Sequence, residues 1–344
     1  MNTKSPLDST IQQLSTKGKG ILAADESGAT VGKRFAALGI ESTEETRRTW
    51  RNLLITTQGI QEFIAGVILF DETLHQNALD GTPFPKKLEQ LGIVPGIKVD
   101  QGLTILPNTA DEQITQGLDK LGERLADYFS KGARFAKWRA VYAISDHTPS
   151  PLAIEANAEV LARYAALCQQ NNIVPIVEPE VLLDGTHTIE RCAIVSESVL
   201  HAVFNALHRH HVKLEHTILK PSMVISGKSC TKRADVETVA RMTVNILRRT
   251  VPAAIPTINF LSGGQTPEEA TAHLNTMHTL NPHLPWNLSY SYARALQDIA
   301  MKTWAGKAGN IAAAQEAFYR RARLNSLAAI GQYNTAMEKE NSVA

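Results

Sequence analysis

Phe135-Ala136-Lys137-Trp138-Arg139-Ala140-Val141 is a nearly continuous apolar run that carries two cations. Val174-Pro175-Ile176-Val177-Glu178-Pro179-Glu180-Val181-Leu182 repeats the type with two carboxylates. Thr217-Ile218-Leu219-Lys220-Pro221 and Thr257-Ile258-Asn259-Phe260-Leu261-Ser262-Gly263-Gly264 repeat it again. Lys137, Glu178, Lys220 and Ser262 stand 41, 42 and 42 residues apart. That spacing holds one strand, one crossover helix and two loops. The runs do not alternate apolar with polar, as strands exposed on one face would. They suit parallel strands covered on both faces.

Working outward, three similar runs precede these: GILAAD (20–25), AGVILFDE (65–72) and VPGIKVD (94–100). One more, WNLSYSYAR (286–294), follows. Helix starts fall between them. Ser150-Pro151 and Thr266-Pro267-Glu268-Glu269 place a capping residue before a proline at the first helical position. The second is also a capping box, and Ser42-Thr43-Glu44-Glu45 repeats it without proline. Eight strand–helix units predict an α/β fold, an eight-stranded parallel (β/α)8 TIM barrel. An open doubly wound sheet is the alternative, but no G-x-G-x-x-G follows the first strand. No linker divides the chain, so residues 1–344 are expected to form a single domain. Residues 1–19 would be an N-terminal helical extension and 330–344 a short C-terminal tail.

Composition narrows the function. Hydrophobic residues make up 43%, enough for a large core, and 35 Lys+Arg against 34 Asp+Glu leave a net charge of +1. Global charge therefore favours neither nucleic acid nor a membrane surface as partner. Three cysteines without a CxxC pair point to a reducing compartment rather than a disulfide framework or zinc ribbon. There is no signal-peptide core and no membrane-length apolar run, so a cytoplasmic protein is expected.

The charges inside the runs are the anomaly. Residues two apart on a strand share a face. Lys137 and Arg139 therefore point one way, as do Glu178 and Glu180, and Lys98 and Asp100. If Trp138 and Val177 pack outward against helices, these charges converge in the barrel mouth, with Asp25 at the same depth. A space-filling ion network is the bland explanation, but burying so many charges is costly and apolar replacements are often as stable. Barrel active sites lie at the C-terminal ends of the strands. A lysine crowded by cations in a dry pocket loses its proton readily and can attack a carbonyl to form a Schiff base. Nearby carboxylates can move the protons that such chemistry requires.

Phosphate recognition is the second theme. Ser262-Gly263-Gly264 ends the seventh run against a helix start, and Ala293-Arg294 ends the eighth. Backbone N–H groups there can hold an anion, at the usual barrel phosphate position. At the first strand, Ser27, Gly28 and Thr30 precede Lys33 and Arg34, a combination suited to a second phosphate.

These segments together resemble the class I, Schiff-base fructose-1,6-bisphosphate aldolases. The resemblance rests on GILAADES (20–27), GIKVD (96–100), FAKWR (135–139), VEPE (177–180), LKP (219–221), FLSGGQ (260–265) and RALQ (294–297), in family order across nearly the whole chain. It implies a carbon–carbon lyase that cleaves fructose 1,6-bisphosphate without cofactor or metal. Lys220 would be the Schiff-base lysine and Glu178 the main acid/base, assisted by Glu180. Asp25 would help deprotonate the C4 hydroxyl, and Lys137 would position substrate and stabilise developing charge. Ser262, Gly263, Gly264, the Ala293 backbone and Arg294 would hold the phosphate on the dihydroxyacetone side. Ser27, Thr30, Arg34, Lys98 and Arg139 would serve the other phosphate or the sugar hydroxyls. A homotetramer is expected on the same basis.

Two departures stand out. Ala293 occupies a position where many animal members carry glycine, although its backbone N–H remains. The tail ends at Ala344 rather than at the tyrosine that assists the enamine in animal members, which leaves Glu178 or substrate phosphate for that step. The short tail looks bacterial or plant-like. Two other functions stay open at this point: preference for another ketose such as sedoheptulose 1,7-bisphosphate, and a non-catalytic binding protein on this scaffold. His208, His210, His211 and His216 cluster before the sixth strand, away from the active face, and are expected to form a solvated helix end rather than a metal site.

Overall fold

The computed structural model describes residues 5–339. Ten strands occur among them: β1 (Gly20–Ala24), β2 (Ile64–Leu69), β3 (Val94–Lys98), β4 (Leu103–Ile105), β5 (Gln113–Thr115), β6 (Phe135–Tyr142), β7 (Val174–Val181), β8 (Ile218–Leu219), β9 (Thr257–Phe260) and β10 (Asn287–Tyr292). Eight close into a barrel in the order β1-β10-β9-β8-β7-β6-β3-β2. Every neighbouring pair is parallel, with helices between successive strands, so the chain forms the (β/α)8 barrel. All eight expected runs supply barrel strands.

Alternation along each strand separates two apolar layers. Ala136, Trp138, Val177 and Leu219 face outward and join the large core beneath the helices. Ile21, Phe135, Ile176 and Ile218 face inward and join a smaller core inside the barrel. Phe135 fits there because Gly66 and Gly96 lack side chains. A Cβ on Gly96 would stand 2.3 Å from its ring, and one on Gly66 would stand 3.0 Å away.

The N-terminal helix Pro6–Leu14 adds Leu7, Ile11 and Leu14 to this inner core. Ser5 caps it, accepting from Leu7 N and Asp8 N, while Asp8 Oδ2 accepts from Ser5 N at 3.0 Å. The helix packs at the ends where the strands begin. The expected extension 1–19 contains this helix, and its residues 1–4 lie outside the described residues. Of the expected tail 330–344, residues 340–344 likewise lie outside them.

Three local expectations need adjustment. The helix after Ser42 is capped one residue later, by Thr43 with Thr46 in a reciprocal pair, rather than by Ser42 with Glu45. Two of the four clustered histidines are paired with carboxylates rather than merely solvated. His210 Nε2 lies 2.8 Å from Glu159 Oε1, and His216 Nε2 lies 2.7 Å from Asp8 Oδ1. The antiparallel hairpin β4–β5 was not among the expected elements. Its strands have three residues each and carry little of the apolar signal that marks the barrel strands.

Candidate active site

At the upper ends of the strands the inward positions change from apolar to charged. Phe135 gives way to Lys137 and Arg139, Ile176 to Glu178 and Glu180, and Ile21 and Ala23 to Asp25. Lys220 follows the two-residue strand β8, where its N–H donates to Val177 O at 2.9 Å. Register places Lys137 beside Lys98 and Arg139 beside Glu178. The charged ends open into a cavity of about 890 Å³. Asp25, Ser27, Thr30, Lys98, Lys137, Arg139, Glu178, Glu180, Lys220, Ser262, Gly263, Ala293 and Arg294 all line it.

Its floor is a row of buried charges of alternating sign. Lys137 Nζ lies 2.9 Å from Asp25 Oδ2 and 3.0 Å from Glu178 Oε2. The same Glu178 oxygen lies 3.6 Å from Lys220 Nζ. All four side chains are at least 92% buried. Glu178 Oε2 meets both ammonium groups as a charge, without an aligned hydrogen bond.

The two buried lysines are pushed in opposite directions. Burial is the largest influence on Lys220 and favours its neutral amine. Glu178 opposes this, but Lys137 reinforces it, and the Lys220 pKa falls below the ordinary lysine value. Burial also works against the charge on Lys137, but Asp25, Glu178 and Asp100 outweigh it and raise that pKa. Burial disfavours the Asp25 carboxylate, yet Lys137, Lys220 and Lys98 together hold its pKa below the usual range. At neutral pH the row therefore contains a fixed cation, an ionised carboxylate and an amine inclined to lose its proton.

Around the floor, Lys98 Nζ contacts Asp100 Oδ1 at 2.6 Å, and Arg139 is in tight contact with Glu180 through Nε. Burial opposes the Arg139 charge, but Glu180 more than compensates and raises its pKa. At the opposite rim, Ser262 and Gly263 face Ala293 and Arg294 across β9 and β10. Gly264 adopts φ +70°, and a Cβ there would lie 2.1 Å from Leu183 Cδ2. A glycine thus fits both the backbone and the packing of this turn.

A model of the family described as fructose-bisphosphate aldolase class-I matches residues 6–344. A "probable fructose-bisphosphate aldolase class 1" from Xanthomonas campestris is 54% identical over 328 residues, 95% of this chain and 98% of the relative. Cytosolic fructose-bisphosphate aldolase 6 of Arabidopsis thaliana is 55% identical over 320 residues, 93% of this chain and 89% of the relative.

The chain belongs to the class I fructose-bisphosphate aldolase family.

Among solved structures, a fructose-bisphosphate aldolase from Plasmodium falciparum, in complex with TRAP and a small-molecule inhibitor, superimposes with a TM-score of 0.94. It is 50% identical, and the match covers 96% of this chain and 95% of that one. The enzyme is accordingly a lyase of this class, acting on fructose 1,6-bisphosphate. No helix among the described residues is long and apolar enough to cross a membrane.

Two expected site residues stand apart from the aldolase cavity lining. Gly264 shapes the turn from behind, against Leu183. Arg34 is held beside the cavity by Glu26, with Gln297 Oε1 at 3.2 Å and Asp298 Oδ1 at 2.9 Å. Conversely, Asp71, Asp100, Arg124 and Tyr128 line the cavity without having been singled out as substrate-binding. The alternation that pairs Asp100 with Lys98 was a usable signal for Asp100. Arg124 and Tyr128 belong to the helix Leu121–Ser130 and carry no strand pattern. Arg124 donates to Val99 O, at 2.9 Å, and to Gly117 O. Tyr128 Oη donates to Asp71 Oδ1 at 2.8 Å, and burial followed by that carboxylate pushes its pKa up to about 12.

Proposed function

We propose that this aldolase cleaves its substrate through a Schiff base on Lys220, with Glu178 as the principal proton carrier. The observation that carries this reading is the shared Glu178 oxygen, 3.0 Å from Lys137 Nζ and 3.6 Å from Lys220 Nζ. It places one carboxylate within reach of a depressed-pKa amine and of a permanent cation. The neutral amine attacks the C2 carbonyl of the open-chain ketose. Glu178 takes up the proton that Lys220 gives up on becoming neutral, relays the nitrogen's second proton to the C2 oxygen after attack, and returns the first to the departing hydroxyl, which leaves as water, and the iminium remains. Glu180, braced by Arg139, assists from the same strand face.

Asp25 is ionised and accepts the C4 hydroxyl proton as the C3–C4 bond breaks. The electron pair moves into the iminium to give an enamine, and the aldehyde product leaves. Lys137, beside both carboxylates, stabilises the charge that develops there. Ser262, Gly263, the Ala293 backbone and Arg294 hold the phosphate on the dihydroxyacetone side, with Gly264 keeping the turn in shape. Ser27, Thr30, Lys98 and Arg139, joined by Arg34, receive the other phosphate and the hydroxyls.

A single domain spanning 1–344, working in the cytoplasm as a homotetramer in glycolysis and gluconeogenesis, completes the proposal. Steady-state assays test it. Fructose 1,6-bisphosphate should be cleaved in the presence of chelator with a higher kcat/KM than sedoheptulose 1,7-bisphosphate, and Lys220→Met should abolish both activities. Cleavage that chelator removes and zinc restores, or that survives Lys220→Met, contradicts the mechanism. Light scattering should give four times the chain mass.

A further inference from the structure

Arg34 is fastened on two sides by groups of different character. Glu26 is a fixed anchor. Its second oxygen lies 2.9 Å from Arg51 Nη1, and its backbone carbonyl accepts from Arg51 Nη2 at 3.3 Å. The side chains of Glu26 and Arg51 are both more than nine-tenths buried. Gln297 is equally fixed, because its amide donates to Ala23 O at 2.6 Å. Asp298 differs. Its side chain is 35% exposed, and among the described residues its ion pair is with Arg34, at 2.9 Å.

Thr30, one turn before Arg34 on the helix Gly28–Ala36, lines the cavity. Side chains four apart on a helix share a face. The Arg34 stem therefore rises on the cavity side while its guanidinium is drawn away toward Asp298.

We propose that Asp298 is a positioning residue that sets the discrimination between bisphosphate and monophosphate substrates. It competes with the substrate's second phosphate for the Arg34 guanidinium. The proposal rests on Arg34 serving that phosphate. A phosphate carrying about two negative charges can draw the Nη2 end of the guanidinium from Asp298, while Glu26 and Gln297 keep hold of Nη1. A ketose that carries phosphate at C1 alone has nothing to offer in exchange. The carboxylate thus weakens bisphosphate binding without touching substrate and leaves monophosphate binding unaffected.

The test is a double-mutant cycle of Asp298→Asn and Arg34→Ala, reading KM and kcat for fructose 1,6-bisphosphate and fructose 1-phosphate. Asp298→Asn should lower KM for the bisphosphate about two- to fivefold, the range an ion pair of this exposure allows. KM for the monophosphate should stay constant. In the Arg34→Ala background the effect should vanish. An unchanged ratio of the two KM values, or an effect that persists without Arg34, overturns the role of Asp298. If Arg34→Ala also leaves the ratio unchanged, the assignment of Arg34 fails along with it. If Arg34→Ala changes the ratio and Asp298→Asn does not, only the role of Asp298 fails.

Discussion

Replacing Lys137 with methionine, which is similar in length but uncharged, isolates its electrostatic effect on Lys220. Both ammonium nitrogens approach one Glu178 oxygen, at 3.0 and 3.6 Å, so they can be no more than about 6.6 Å apart. Two unit charges at that separation repel by about 2.5 kcal/mol at an effective dielectric constant of ~20. That energy corresponds to roughly two pKa units. Removing the Lys137 charge also leaves Glu178 to act on Lys220 alone, which reinforces the change. The Lys220 pKa should therefore rise by about two units, so that on the acid side of the inflection its neutral fraction should fall by about a hundredfold. The assay is the rate of borohydride-trapped adduct formation with dihydroxyacetone phosphate across pH, which reports imine formation without carbon–carbon cleavage. The inflection should move to higher pH, with the rate recovering above it. An inflection that stays in place, or a loss of rate equal at every pH, would refute the electrostatic coupling.

Other consequences follow from the same geometry. Because the folded pKa of Asp25 is depressed, its contribution to stability is fully present above the unfolded value near pH 4 and is lost as pH falls through the folded value. Asp25→Asn should consequently flatten the acid limb of a urea-denaturation profile below about pH 4, and an unchanged limb would disprove the coupling. Gly264→Ala must clash with Leu183 and adopt a left-handed backbone. It should cost about 1–3 kcal/mol and raise KM for every substrate with phosphate on the dihydroxyacetone side, as denaturation and steady-state kinetics would show. Gly96→Ala should destabilise by a similar ~1–3 kcal/mol through the Phe135 ring, in the same denaturation assay, while leaving KM close to the parent value.

Why so much of the barrel was legible follows from its chemistry. A parallel strand covered on both faces must be apolar nearly throughout, so a lysine or glutamate inside such a run is conspicuous. Trp138 and Val177 do pack outward, which sends Lys137 and Glu178 inward as alternation requires. What escaped the reading is fixed by contacts distant in sequence. Arg34 sits in a helix start rich in hydroxyls and cations, which suggested an open phosphate site. Nothing in that local pattern reveals Asp298, 264 positions away, at 2.9 Å. The hairpin β4–β5 is likewise tied down from outside its own segment, with Thr115 Oγ1 donating to Arg139 O at 2.7 Å. Glu112, beside that hairpin, accepts from Ser150 N at 2.7 Å, joining it to the start of the helix that follows β6. Gly264, expected at the phosphate turn, also has a packing reason to be glycine, its positive φ and its closeness to Leu183, which no local pattern reveals.

Adduct mapping tests the central claim most directly. The protein is mixed with dihydroxyacetone phosphate in the presence of chelator, reduced with borohydride, digested and analysed by peptide mass spectrometry. A single reduced adduct on Lys220, absent from Lys220→Met, is the predicted result. No adduct, or an adduct on Lys98 or Lys137 in place of Lys220, would contradict the account.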